Sequence, residues 1–177
     1  VAFAGLDDIM QLAEDFIVEI VGRSIESYRS LLVDVLERDL AKLESVRRPF
    51  PRISYDDAAA LLKRKGAAFE YGSDFGGADE TMISEEYDRP VFVHRFPAAI
   101  KAFYMQPDPK DPKLSLSVDL LASEGYGEII GGGERIHDRS LLEKRIEESG
   151  LPKKAFQWYL DLRTYGTFPH AGFGLGV

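Results

Sequence analysis

Asp119 lies in the run Leu114-Ser115-Leu116-Ser117-Val118-Asp119-Leu120, and Glu128 follows in a second extended run, residues 126–136. Apolar and polar residues alternate in the first run with the period of a half-buried antiparallel strand, which puts Asp119 on one face with Ser117 and Ser115. Residues 114–136 then read as a hairpin that brings Asp119 and Glu128 near each other across a sheet. Two carboxylates so placed repel unless a cation lies between them, and Mg²⁺ completed by phosphate oxygens suits such donors. They equally suit two strand-end side chains facing water.

Beside them, Gly131-Gly132-Gly133 removes side chains where a strand would pack them, at roughly 0.5–1 kcal/mol per glycine relative to alanine. Either something flat such as adenine or ribose approaches that backbone, or the strand is bulged there. Arg135 offers a planar fork for a carboxylate or an amide oxygen, or for a surface ion pair. Of the three histidines, His170 is best placed, before the run Gly172-Phe173-Gly174-Leu175-Gly176. His137 precedes a helix start and His94 lies on a strand. The terminal glycines lack the strand, turn and helix order of a dinucleotide fingerprint.

The elements that must hold these residues are legible from periodicity. Apolar residues spaced by three and four from Leu6 to Val21 predict an amphipathic helix, with Asp7 and Asp8 in its first turn. The pattern continues from Ile25 to Leu40 as a second helix or a bent continuation. Pro49 and Pro51 break it. Ile53-Ser54-Tyr55 reads as a short strand, and Ser54 with Asp57 makes a capping box for a helix over 55–65 that Gly66 ends. A glycine-rich acidic loop over 70–79 leads to a short helix at 80–87, then a strand over 90–96. Helices over 138–149 and 152–165 follow, with Glu143–Arg145 and Lys144–Glu148 as charge pairs of a solvated face. Helices bracketing an antiparallel sheet make an α+β fold.

The chain has 177 residues, 45% of them hydrophobic and 11% aromatic, enough for one globular domain. It contains no cysteine, which excludes disulfides and thiolate zinc and points to the cytoplasm. No apolar run is long enough for a membrane span. A formal charge of −8 gives no general attraction to polyanions. Nucleic acid would need a local basic patch, and DNA is not expected as a partner.

Taken jointly, Lys101-Ala102-Phe103-Tyr104-Met105, Asp119-Leu120-Leu121-Ala122, Gly125 to Gly132, Trp158-Tyr159-Leu160-Asp161-Leu162-Arg163 and Pro169 to Gly176 resemble the asparaginyl-tRNA synthetases, of the aspartyl-like subgroup of class II. The loop Gly72 to Glu80 fits as well. Val1-Ala2-Phe3 looks like the end of the second class-defining motif, and the last residues look like the third motif up to its glycines. The resemblance implies one partial catalytic domain over 1–177, from the end of the second motif to the start of the third, without the anticodon-binding domain.

It implies further that Asp119 and Glu128 bind Mg²⁺ and the phosphates of ATP. Glu128, Ile129, Gly131, Gly132, Gly174 and Gly176 would line the nucleotide site. Arg135 would contact the side chain of the amino acid, with His170 and Gly131 beside it. Glycine stands at 133 where the family usually has serine. The implied partners are asparagine, ATP, tRNA(Asn) and a second subunit of a homodimer. Because the arginines of the second and third motifs would lie outside the 177 residues, the isolated piece is expected to be inactive in aminoacylation. A synthetase-derived asparagine synthetase, an aspartate-specific relative and a non-catalytic binding module are the competing expectations.

Overall fold

The computed structural model describes residues 1–176. Five strands form one sheet in the order β1 (Arg52–Ser54), β2 (Val91–His94), β3 (Ser117–Ala122), β4 (Gly127–Arg135) and β5 (His170–Leu175). The sheet is mostly antiparallel, as expected, but β1 pairs with β2 in parallel. Parallel neighbours need a crossover, and here it consists of α3 (Tyr55–Arg64), a glycine-rich loop and α4 (Gly77–Ser84).

The two faces of the sheet are covered unequally. Val118, Leu120, Ile130 and Ala171 on one face pack against Leu6, Ile9, Met10, Ala13 and Ile17 of α1 (Leu6–Ser30), which forms the main core. On the other face Val91, Val93 and Leu121 pack against Tyr55, Leu61, Leu62 and Ile83 of α3 and α4. That second layer covers β1 to β3 and the start of β4, and leaves the rest of β4 and β5 open. At the far end Ile136 joins Leu142, Ile146 and Leu160 of α5 (Arg139–Glu148) and α6 (Gln157–Thr164).

Both expectations for the long N-terminal helix hold in part. It departs from helical geometry at Tyr28, passes into a π-helical turn over Leu31–Val35, and is followed by the separate α2 (Leu40–Glu44), which the Asp39 side chain caps. The capping box of Ser54 and Asp57 forms at the start of α3.

Other boundaries shift. β3 starts at Ser117 rather than 114, because Ser115 N donates to Phe96 O and Leu116 N to Gln106 O, outside the ladder. The helix expected over 80–87 begins at Gly77, where Asp79 reaches back to Gly76 N. That expected over 152–165 divides into a 3₁₀ turn, Lys153–Phe156, and α6. Lys144 meets Glu148 as expected, at 3.7 Å, but Glu143 pairs with Lys153 and not with Arg145. Residues two apart on a helix point in different directions.

Candidate active site

A β-bulge brings the two carboxylates together. Asp119 faces Gly131 and Leu120 faces Ile130, yet Leu121 faces Glu128, so Ile129 has no partner on β3. The extra residue reverses the alternation of β4. Ile129 and Ile130 both pack on the core beneath α1, while Glu128 swings to the opposite face beside Asp119. A methyl group on Gly131 would strike Glu128 Oε1 and lie 3.6 Å from Asp119 Oδ1. The absent side chain of Gly131 is therefore the space in which both carboxylates meet.

Residues directly opposite each other on neighbouring strands share a face. Asp119, Gly131 and Gly174 form one such row, Ser117, Gly133 and Gly172 the next, and Arg135 with His170 the last. The open half of the sheet thus presents a floor of bare backbone, with acids at one end and Arg135 about 13 Å away at the other, at 3.3 Å per residue. Nothing approaches the missing side chains of Gly172, Gly174 and Gly176 within 4 Å, so that side is open space. Gly132 faces the other way, its missing methyl 2.6 Å from Gly172 O and 2.7 Å from Phe173 Cβ on the core side. Of the residues expected around a nucleotide, Glu128, Gly131 and Gly174 lie on the open face, Gly176 continues β5 beyond its end, and Ile129 and Gly132 face the core.

Electrostatics concentrate at the acidic end. Asp119 is 6% exposed, and its Oδ2 accepts from Lys101 Nζ at 2.6 Å. Asp74 Oδ1 lies 3.5 Å from the same ammonium, which sits 3.9 Å from the centre of the Phe96 ring. Glu80 closes the strand entrance by accepting from Glu128 N at 3.1 Å. Burial, with the nearby Glu128 and Asp74 charges, pushes the Asp119 carboxyl up to about 7 despite Lys101. Burial also raises Glu128, with Glu80 and Asp74 adding to it. Burial works against the Lys101 ammonium, but Asp119, Asp74 and Glu128 outweigh it and hold its pKa above the usual value.

Four carboxylates against one ammonium leave a surplus of negative charge. Among the described residues no three His, Asp or Glu side chains converge to enclose a metal alone. Two carboxylates with outer ligands supplied by phosphate or water fit the habits of Mg²⁺.

Arg135 carries no carboxylate partner among the described residues. One of its nitrogens, NH1, lies 2.9 Å from Met105 Sδ, the other donates to Gly172 O at 3.2 Å, and the guanidinium stands 5.0 Å from the Tyr104 ring centre. It borders a cavity of about 320 Å³ lined with Phe103, Tyr104, Phe156, Trp158 and Tyr159. A half-buried cation held by weak partners is available for an anionic or amide oxygen. His170 borders a different cavity, of about 380 Å³, near Leu162, Arg163 and Phe168, and its Nδ1 bonds Phe168 O at 2.9 Å.

Sequence reasoning missed Lys101 as a site residue. It lies outside any strand, and only its contact with Asp119 across the fold reveals it. Asp74 and Glu80 were visible only as members of an acidic loop. His94 is half-buried beside Arg95, and burial lowers its pKa away from the site.

A bare glycine floor, paired acids and an arginine without a carboxylate partner among the described residues, on a mostly antiparallel sheet, belong together in one class of fold. The chain is a member of the tRNA synthetases of class II (D, K and N), whose family model matches residues 1–177. Within that class it is 57% identical over 176 residues to the asparagine–tRNA ligase of Desulforamulus reducens, covering 99% of this chain and 41% of that protein. It is 59% identical over 189 residues to the asparagine–tRNA ligase of Sorangium cellulosum, covering all of this chain and 42% of the relative. The structure of asparaginyl-tRNA synthetase from Pyrococcus horikoshii complexed with asparaginyl-adenylate superposes with a TM-score of 0.95 at 48% identity, over 99% of this chain and 40% of that one. The chain thus spans about two fifths of the length of the relatives it matches. Among the described residues no helix is long and apolar enough to cross a membrane.

Proposed function

We propose that these residues form part of the catalytic domain of an asparagine–tRNA ligase, which activates asparagine with ATP and passes the asparaginyl group to tRNA(Asn). The observation that carries the reading is the bare glycine floor with Asp119 and Glu128 at one end and an uncompensated Arg135 at the other. It is supported by the solved relative of the same fold that holds asparaginyl-adenylate. An adenylate has the matching layout: a flat nucleoside, a phosphate and an amino-acid side chain in line.

In this reading Asp119 and Glu128 hold Mg²⁺. The metal, when bound, would draw charge from the phosphate oxygens as it develops in the transfer. Gly131 and Gly174 let the nucleotide lie against backbone, with Gly176 at the edge. Arg135 donates two hydrogen bonds toward the side-chain oxygen of the amino acid, and Tyr104 and Met105 keep its fork in place. Lys101 offsets part of the carboxylate charge and orients Asp119. Close alignment of reacting groups, rather than any covalent step by the protein, is what such a site supplies. A homodimer and a cytoplasmic location belong to the same reading.

Calorimetric titration of the chain with a non-hydrolysable asparaginyl-sulfamoyl adenosine, with and without MgCl₂, tests the proposal. The expected result is binding that weakens when Mg²⁺ is removed and that falls for the aspartyl analogue. Failure to bind either analogue in Mg²⁺ would sink the reading. Equal binding of the two would overturn the asparagine assignment.

A further inference from the structure

Tyr55 is fully buried, yet its hydroxyl uses both of its hydrogen-bonding capacities on one loop. It donates to Ser73 O at 2.7 Å and accepts from Gly72 N at 2.9 Å. Its ring packs against Phe69, Tyr71, Phe75 and Phe96 with centroids 5.1 to 6.2 Å away. Gly72 turns the loop with φ of +96°, a conformation natural to glycine, and Tyr71 ties the outer edge to Asp56 at 2.6 Å. The next residue beyond these anchors is Asp74, which reaches Lys101, and Lys101 holds Asp119.

We propose that Tyr55 is a positioning residue of the site: its hydroxyl fixes the backbone of residues 72–73 so that Asp74 shares the Lys101 ammonium with Asp119. The sharing has a consequence at the carboxylate. Lys101 donates to one oxygen of Asp119 at 2.6 Å, and Asp74 at 3.5 Å is a second anionic partner of the same ammonium. When the loop loosens, Asp74 leaves and Lys101 settles wholly on Asp119, where it competes with an incoming cation. Tyr55 touches no ligand and acts only through the loop. Phe96 carries the same arrangement from below, since its ring supports both Tyr55 and Lys101.

The test is Tyr55→Phe, which keeps the ring packing and removes both hydrogen bonds, beside Asp74→Asn, an exposed change that leaves the anchors intact. Amide hydrogen exchange at Gly72 should rise by about tenfold in Tyr55→Phe, as loss of its hydrogen bond to the Tyr55 hydroxyl predicts, and stay near the wild-type rate in Asp74→Asn. The side-chain NMR signal of Lys101, assigned with Lys101→Arg, should move in the same direction in both variants. The double variant should show no further movement. An unchanged Gly72 exchange rate, or a Lys101 signal unmoved by Tyr55→Phe, overturns the proposal. The link to the cation rests on the function proposed above and is read separately: Mg²⁺-dependent affinity for the asparaginyl-sulfamoyl analogue should fall several-fold in both variants. Loss of that dependence in the wild type would count against the function and leave the exchange and NMR results to decide the role of Tyr55.

Discussion

Gly131→Ala separates function from folding at this site. The new methyl group points into the space between Asp119 and Glu128, well inside contact distance of Glu128 Oε1 but 3.6 Å from Asp119 Oδ1. The neighbour that must yield is the end of a flexible, only partly covered side chain, and no backbone atom stands in the way. Glu128 must retreat by about 1 Å to reach ordinary van der Waals separation. Folding should therefore change by less than about 1 kcal/mol, the usual range for a surface substitution without a buried clash. The site responds differently. Under the proposed function, a displacement of about 1 Å in a carboxylate that holds Mg²⁺ would cost up to about 10²-fold. The companion variant Gly133→Ala reverses the pattern: at φ of +148°, with Leu116 O and Ser117 Cα (2.8 Å) against the new methyl, the cost falls on the fold. Thermal unfolding and calorimetric titration with the asparaginyl-sulfamoyl analogue, run on both variants, give the comparison. If Gly131→Ala unfolds the chain as readily as Gly133→Ala does, or keeps full Mg²⁺-dependent binding, the assignment of Gly131 to the meeting point of the carboxylates is wrong.

Three further outcomes follow from the same geometry. Asp119 is raised from its ordinary 3.8 to about 7 on folding, so its contribution to stability is complete below pH ~4 and is lost as pH climbs through ~7; each unit corresponds to about 1.4 kcal/mol. Asp119→Asn should then gain on the wild type between pH 4 and pH 8 in thermal melts, and a constant difference across that range would contradict the burial argument. Arg135→Met, which keeps bulk against Tyr104 while removing both donors, should weaken the asparaginyl analogue by 10²-fold or more, at about 1.5–3 kcal/mol for a charged hydrogen bond, and leave affinity for ATP nearly unchanged in the same titration. Ser54→Ala removes the cap that accepts from Asp57 N at 3.1 Å and should cost about 1 kcal/mol in urea unfolding without altering ligand binding.

What the sequence displayed, and what it withheld, follows from the range of each interaction. The periods of Leu6 to Ile17 and Leu114 to Leu120, the Ser54 cap and the proline breaks act over a few residues, so the elements they specify stand where they were expected, with β3 starting late. Asp119, Glu128 and the bare glycines stood out in the sequence by residue type alone, and the structure brings them to one face of the sheet. Their pairing was right for a reason that alternation could not supply. A regular β4 would set Glu128 with Ile130 on the core face, and only the unpaired Ile129 turns it toward Asp119. Gly131 and Gly132, adjacent and identical in the sequence, do opposite work: one makes room for carboxylates, and the other leaves room for β5, whose Gly172 O would stand 2.6 Å from a methyl group placed there. Lys101 was illegible because its role comes from a contact with Asp119 that no local pattern encodes. Local rules therefore place the strands, whereas the register between them decides which side chains become chemistry. The single extra residue at Ile129 is the point at which a hairpin of ordinary alternation sets two carboxylates on one face.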